Sequence, residues 1–519
     1  MRSRQIGSRD LLEETMTEDR GSGGVPVASA GTEGPNGSLR RGALGLPAAV
    51  MQGVSHIAPA VGMVLTLQFI TSLAGMTAPL SYGLAFVIVL TLGIALTQLA
   101  KYLPSAGGYY TYVSRTVHPR AGFLTAWLFF LYDPTGAAIN LAFMGFFFEG
   151  TMRAEYGINF PWWLFFVIGG VFISVLVYRG IEISARTMIV LATLELALVV
   201  ALGLTGLLSP GEGGINFSSY NPAEAKDLSG LYLGVVFSIF AFTGFESVAP
   251  LAEETENPRR NLPRAIILSI LIMGAFYIFT SWALLVGWGT NNLNAFVNAS
   301  ENPVFLLAHR LWGVAWIVVF IAVINSILAV SIATTNAATR VFFAMGRSGV
   351  LPGWLSRVHP VHRTPSNAIL LQTFITFAIG LGLGLALGPD QEFFLMGVAI
   401  TLGLIFVYSM GNVGVFRFYR TERRGEFNVL LHAVFPLLST IALLWVGYKS
   451  IVPLPDLPVG YAPFIVGVWL VVGIVLVWLL SRTGREEWLR KAGAVMEEPT
   501  EMPEREAGEE RMPPSSDND

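Results

Sequence analysis

The sequence predicts an all-α integral membrane protein with twelve transmembrane helices, and three observations carry that expectation. Hydrophobic residues make up 53% of the 519 and charged residues only 13%. Mean hydropathy is +0.60. Apolar runs recur from Leu44 to Leu480 with only short polar interruptions, whereas a soluble chain of this length divides into several domains with polar surfaces. One membrane domain over 44–482 is therefore expected.

The flanks read differently. Residues 1–43 are polar and rich in Gly and Ser, without the apolar core of a signal peptide, and 483–519 are charged and carry Glu497-Glu498-Pro499 and Pro513-Pro514. Both are expected to be disordered, solvated tails. Between them, runs long enough for a hydrocarbon core about 30 Å thick fall at 46–72, 79–102, 120–149, 161–178, 187–208, 229–251, 263–288, 303–342, 366–388, 392–416, 429–451 and 461–481. Lys and Arg near the span ends are strongly asymmetric: with the N-terminus inside, 22 of the 32 lie on the inner side and 4 (Arg153, Lys226, Arg310, Lys449) on the outer. Positive residues are retained on the cytoplasmic side, so both termini are expected there, in a multi-pass cytoplasmic-membrane protein.

Composition also excludes function classes. A net charge of -3 shows no basic excess, which argues against a nucleic-acid partner. With no cysteine, a thiol nucleophile and a Cys-based zinc site are excluded. The six histidines show no i, i+4 zinc spacing, and neither a Gly-x-Ser-x-Gly turn nor a P-loop occurs. An intramembrane enzyme or an ATP-driven pump is not expected. A nutrient receptor is the other competing class, but both tails are short for a signalling domain.

Two spans invite interruption. The first contains Gly53-Val-Ser-His-Ile-Ala-Pro-Ala-Val-Gly62, where Pro59 removes a backbone donor and clashes with the preceding turn. The sixth contains Phe240-Ala-Phe-Thr-Gly-Phe-Glu-Ser-Val-Ala-Pro250, where Gly244 and Pro250 weaken the helix beside the charged Glu246. These spans are equivalent if five helices repeat with inverted topology, an arrangement whose broken helices expose N–H and C=O groups near the midplane. Kinking and close packing alone would also account for such residues in one span; two in equivalent positions favour the repeat.

Other polar groups inside spans need protein or water around them. Glu195 stands mid-way through the fifth span. In the third, Asp133, Gly136, Ala137 and Asn140 fall on one small, polar face expected to point inward. His56 lies beside the first break. In the eighth, Ser331 and Thr335 share a face, although hydroxyls in membrane helices commonly bond their own backbone.

Three ordered segments resemble the amino acid–polyamine–organocation transporter superfamily over about residues 45 to 450: Gly244-Phe-Glu-Ser-Val-Ala-Pro-Leu-Ala-Glu-Glu-Thr-Glu-Asn-Pro258 continuing to Ala265, Pro104-Ser-Ala-Gly-Gly-Tyr109 with Tyr112, and Arg340-Val-Phe-Phe-Ala-Met-Gly-Arg-Ser-Gly-Val-Leu-Pro352 with Arg363-Thr-Pro365. The resemblance implies a 5+5 inverted repeat plus two extra helices, and secondary active transport of amino acids by alternating access; polyamine or organic amine transport and amino acid exchange are the alternatives. It implies no cofactor beyond a coupling ion, with the proton preferred over sodium. The partners are a small-molecule substrate and the bilayer.

The resemblance also implies site residues. Where many members carry Gly-x-Gly in the first helix to hold a substrate carboxylate, this chain has Pro59-Ala60-Val61. The carboxylate is then expected on the amides of Ala60, Val61 and Gly62, with Ser55, Ile57 and Ala58 beside them. The substrate amine is expected at the carbonyls of Phe240, Ala241, Phe242 and Thr243, next to Gly244, with the Phe242 ring as a gate. Asp133 favours a cationic group. Glu195, at a position where some proton-coupled relatives carry lysine, is the expected proton carrier; Glu246 is the second coupling candidate, and Ser331 and Thr335 stand for sodium.

Overall fold

The computed structural model describes residues 39–482. The expectations for the C-terminal tail and for residues 1–38 lie outside the described residues. Among those described the chain is helical, with one isolated bridge between Leu44 and Thr255.

The first span is split into α1 (Leu46–Ile57) and α2 (Leu67–Ala74), joined through a π turn at Val61–Leu65. The second is α3 (Ala78–Ala100), and the loop after it forms the short α4 (Tyr109–Thr116). The third is divided into α5 (Pro119–Phe129) and α6 (Asp133–Tyr156), followed by α7 (Trp162–Arg179) and α8 (Ile181–Leu208). The sixth span opens with α9 (Leu228–Ala241) and continues as a 3-10 segment over Phe245–Glu254. Then come α10 (Pro258–Trp288), the short helices α11 (Leu293–Val297) and α12 (Pro303–Trp312), α13 (Ile317–Arg347), α14 (Ser366–Leu387), α15 (Pro389–Thr421), α16 (Phe435–Ile451) and α17 (Ala462–Arg482).

Eleven helical segments among the described residues are long and apolar enough to cross a membrane. The segment expected at 120–149 is not among them. It is interrupted at Phe130–Tyr132 and restarts at Asp133 with Pro134 in its first turn, a start that suits proline because the first helical N–H has no intrahelical partner. Burial ranks the spans. Of the apolar window in Leu46–Leu65, 83% is buried, and of that in Pro303–Arg347, 72%, against 11% in Val459–Arg482. The first and eighth spans therefore run through the centre, while α17 lies at the rim with its apolar side chains outward, as lipid contact requires.

Candidate functional site

The site is built where the first and sixth spans lose their helical ladders. At the end of α1, Ala58 adopts a left-handed conformation (φ 56°) and its N–H turns back to the Ser55 carbonyl at 3.1 Å. The cause is local. Pro59 has no N–H to continue the ladder, and its ring disfavours the helical conformation of the residue before it. At the end of α9 the chain turns through Phe242 and Thr243 to Gly244, whose φ of 122° is open to glycine. A side chain at Gly244 would also meet the backbone carbonyl carbon of His56 at 2.7 Å. The two breaks thus touch, at His56 and Gly244.

The amides expected to receive a substrate carboxylate all have protein partners. The Ala60 N–H donates to Glu195 Oε2 at 3.2 Å, the Val61 N–H faces Ser326 Oγ at 3.4 Å, and the Gly62 N–H closes a turn onto the Ala58 carbonyl at 2.8 Å. The chain's own carboxylate stands at the first break. Ser55 is buried there with a hydroxyl that has no hydrogen-bond partner.

On the sixth-span side, the Phe240 carbonyl accepts from the Thr243 N–H at 3.1 Å and from its hydroxyl at 2.9 Å. The Ala241 carbonyl accepts from the Tyr277 hydroxyl at 3.1 Å. Phe242, expected as a gate, is fully buried, edge-on to Tyr277 with ring centroids 5.0 Å apart. In this conformation its ring packs in the core between Tyr277 and Phe86.

Tyr277 of α10 is the residue that sequence reasoning missed. Its hydroxyl reaches the Ala241 carbonyl and lies 3.4 Å from the Ile57 carbonyl, so one phenol spans both breaks, and the ring covers Gly62 at a distance that leaves no room for a Cβ. Gly62 is required by that close approach. Tyr82 of α3 packs beside it, 5.3 Å between ring centroids.

Three carboxylates surround the breaks. Asp133, at the first turn of α6, lies 3.3 Å from His56 Nε2, both side chains buried, though aligned too poorly for a hydrogen bond. Its helical face points inward as expected, and Gly136 lies against Thr334 of α13. Glu246 caps the second break, accepting the Gly244 N–H at 3.0 Å. Its other side borders a cavity of about 10 Å³, room for one water, with Tyr109, Phe129 and Pro250 in the wall. Asp133 Oδ2, Glu195 Oε1 and Glu246 Oε1 have no well-aligned donor, although the Tyr132 and Tyr408 hydroxyls stand beside Glu246 and the Ser326 hydroxyl beside Glu195. Leaving a buried acceptor unpaired costs about 1–3 kcal/mol, so these oxygens call for donors.

The sodium candidates behave otherwise. Ser331 Oγ donates to the Ile327 carbonyl at 2.8 Å and Thr335 Oγ1 to the Ser331 carbonyl at 2.7 Å. Both hydroxyls serve their own helix.

With this geometry in place, comparison with known proteins gives the family. The amino acid permease family model matches residues 48–490. This chain is an amino acid permease family member. Over 463 residues it is 26% identical to the low-affinity putrescine importer PlaP of Escherichia coli, covering 86% of this chain and 95% of the importer. It is 27% identical to the branched-chain amino acid permease BcaP of Bacillus subtilis, with 79% and 86% covered. The serine/threonine exchanger SteT of Bacillus subtilis is 28% identical, with 72% and 86% covered. The chain is thus a multi-pass membrane transporter of the class that moves amino acids or amines.

In this permease the three segments that carry the family resemblance meet at one end of the bundle. Arg340 of α13 holds Glu254 through two nitrogens, at 2.8 and 3.1 Å, with both side chains fully buried. Arg347 pairs with Glu253, which also accepts the Ala106 N–H at 3.2 Å. The Tyr110 and Ser348 hydroxyls lie 2.9 Å apart. Leu44 adds two backbone bonds, to the Glu254 carbonyl and from the Glu256 N–H, each 2.9 Å. Burial raises the Tyr110 phenol to about 12, so it stays protonated.

Proposed function

We propose that this permease is a proton-coupled secondary transporter of the cytoplasmic membrane, with both termini inside, its substrate site at the paired breaks and Glu195 as the proton carrier. The contact between Glu195 and the Ala60 N–H carries the proposal. It makes the charge of one carboxylate in α8 a determinant of the conformation of the first span. The asymmetry of Lys and Arg supports the orientation, and the relatives' substrates support amines and amino acids as cargo. The self-bonded Ser331 and Thr335 favour protons over sodium.

The test is uptake of labelled 1,4-diaminobutane, leucine and serine into proteoliposomes with an imposed pH gradient. Wild-type uptake should accelerate when the outside is acid. Glu195→Gln should abolish that acceleration while retaining exchange against preloaded substrate; undiminished proton dependence in this variant would eliminate Glu195 as the carrier.

A further inference from the structure

We infer that the C-terminal end of α15 binds the headgroup phosphate of an anionic phospholipid, with Arg417, Arg420 and Arg424 as its ligands.

On α15, Val413, Phe416, Arg417 and Arg420 are exposed, whereas Gly414, Val415, Phe418 and Tyr419 between them are buried. The exposed set falls at i, i+3, i+4 and i+7, which is one helical face. Arg424 extends that face past the helix end, where its Nε donates to the Arg420 carbonyl at 2.9 Å. The face is therefore apolar along the bundle and triply cationic where it leaves it. An outward apolar stripe on a membrane helix meets lipid tails, and charges one turn beyond it stand at the depth of the headgroups. Arg115 of α4 reaches Glu422, so this end of α15 lies at the Arg340 end of the bundle.

Basic residues at span ends are ordinary, but these three differ in what surrounds them. The acids of the same stretch have other partners: Glu422 accepts from Arg115 at 2.8 and 3.0 Å, and Glu426 from Arg423 at 3.2 Å and from the Tyr102 phenol at 2.5 Å. Among the described residues, no carboxylate pairs with Arg417, Arg420 or Arg424. Arg420 is also braced. Its guanidinium lies over the Phe416 and Phe427 rings, 5.6 and 5.8 Å from their centres, and the two rings meet edge to face at 6.2 Å. A guanidinium held on ring faces keeps its fork of N–H donors for an oxyanion, and phosphate oxygens suit that fork.

A phospholipid also brings what a free phosphate lacks. Its acyl chains cover Val413 and Phe416, and beyond the turn Val429 and Leu430, which are 63% and 51% exposed. The acids of residues 483–519 could meet the charges but not the apolar stripe.

The test uses the full-length protein in a neutral detergent, titrated with palmitoyl-oleoyl phosphatidylglycerol, with the matching phosphatidylcholine and with sn-glycerol 3-phosphate, and counts bound molecules by native mass spectrometry. Phosphatidylglycerol should bind at least about tenfold more tightly than phosphatidylcholine, since each basic residue near a membrane surface is worth about fivefold. The triple variant Arg417→Gln/Arg420→Gln/Arg424→Gln should lose that preference, with phosphatidylcholine binding unchanged. If the triple variant unfolds in detergent, Arg417→Gln alone, which removes a side chain at the exposed face, should weaken phosphatidylglycerol about fivefold. Arg186→Gln is the control: this exposed arginine of α8 lies one turn from Glu182, which pairs with Arg40, and its loss should leave the preference in place. Equal losses in Arg186→Gln and the triple variant would mean diffuse charge attraction and overturn the inference. Glycerol 3-phosphate binding as tightly as the lipid would overturn it in favour of a free anion site. No discrimination between the two lipids by the wild type, the result expected if the acidic residues 483–519 occupy the arginines, would overturn it as well.

Discussion

At the Arg340 end of the bundle, Glu253 and Glu254 each meet a guanidinium, whereas at the helix breaks Asp133, Glu195 and Glu246 meet no guanidinium or ammonium and keep oxygens without a well-aligned donor. Arg347 is exposed, but the Arg340–Glu254 pair is as buried as the three acids at the breaks, so burial alone does not separate them. The partners do. A buried pair with its hydrogen bonds satisfied resists rearrangement, because parting it strands two charges. A buried carboxylate with an open lone pair is a site for a proton or a cation. The first layer is a lock between the sixth span, α13 and the loop before α4; the second is where we propose that cargo and coupling ion act.

The largest effect that sharpens this contrast is expected at the lock. Arg340→Ala strands Glu254 and should cost about 3–5 kcal/mol, read as thermal unfolding in detergent, while removing both partners in Arg340→Ala/Glu254→Ala should cost less than the two single losses combined. Equal, additive losses would break the comparison. Next is Gly244→Ala, where a positive φ is compounded by contact with the His56 backbone. Strain of order 1–3 kcal/mol is expected, with uptake nearly lost. Gly157 is the control: its φ is +66° but nothing lies within 4 Å of an added Cβ, so Gly157→Ala should be milder and leave transport in place.

Tyr277→Phe should cost about 0.5–1.5 kcal/mol, the net value of one hydrogen bond, and slow uptake severalfold without unfolding the protein, because it uncouples the breaks and keeps the ring packing. Unchanged uptake would remove Tyr277 from the site. The smallest effect lies outside the spans. The Tyr102 phenol holds the exposed Glu426 below the usual carboxylate range, helped by Lys101 and Arg423. A depressed carboxylate contributes stability that is present above its unfolded value and lost as pH falls through the folded one. Tyr102→Phe should therefore lower stability slightly at neutral pH and flatten the acid limb of the stability profile, with the two proteins converging once the carboxylate is protonated.

Much of this was legible in the sequence because it depends on local chemistry. Pro59 and Gly244 mark the breaks through backbone rules that act within a turn, and Glu195 marks itself as a charge in an apolar helix. The division of the third span had a signal in Asp133-Pro134, a helix start read instead as a polar face inside a continuous span. Pairings between distant segments had none. Glu195 and Ala60 are 135 residues apart, and Tyr277 is one ring among the apolar residues of α10. His56 was visible as a titratable group, but its position against Asp133 follows from how α1 and α6 pack. The Ala60, Val61 and Gly62 amides lie at the break; that Gly62 turns onto Ala58 is local, but that Ala60 and Val61 are already engaged depends on the neighbouring helices.

The most direct measurement is proton flux accompanying transport, followed with a pH-sensitive dye trapped inside proteoliposomes while a transported amine or amino acid is added outside. Wild-type protein should acidify the interior in step with uptake, and Glu195→Gln should exchange substrate with no accompanying proton signal. Equal acidification by both would contradict the assignment of Glu195 as the coupling group.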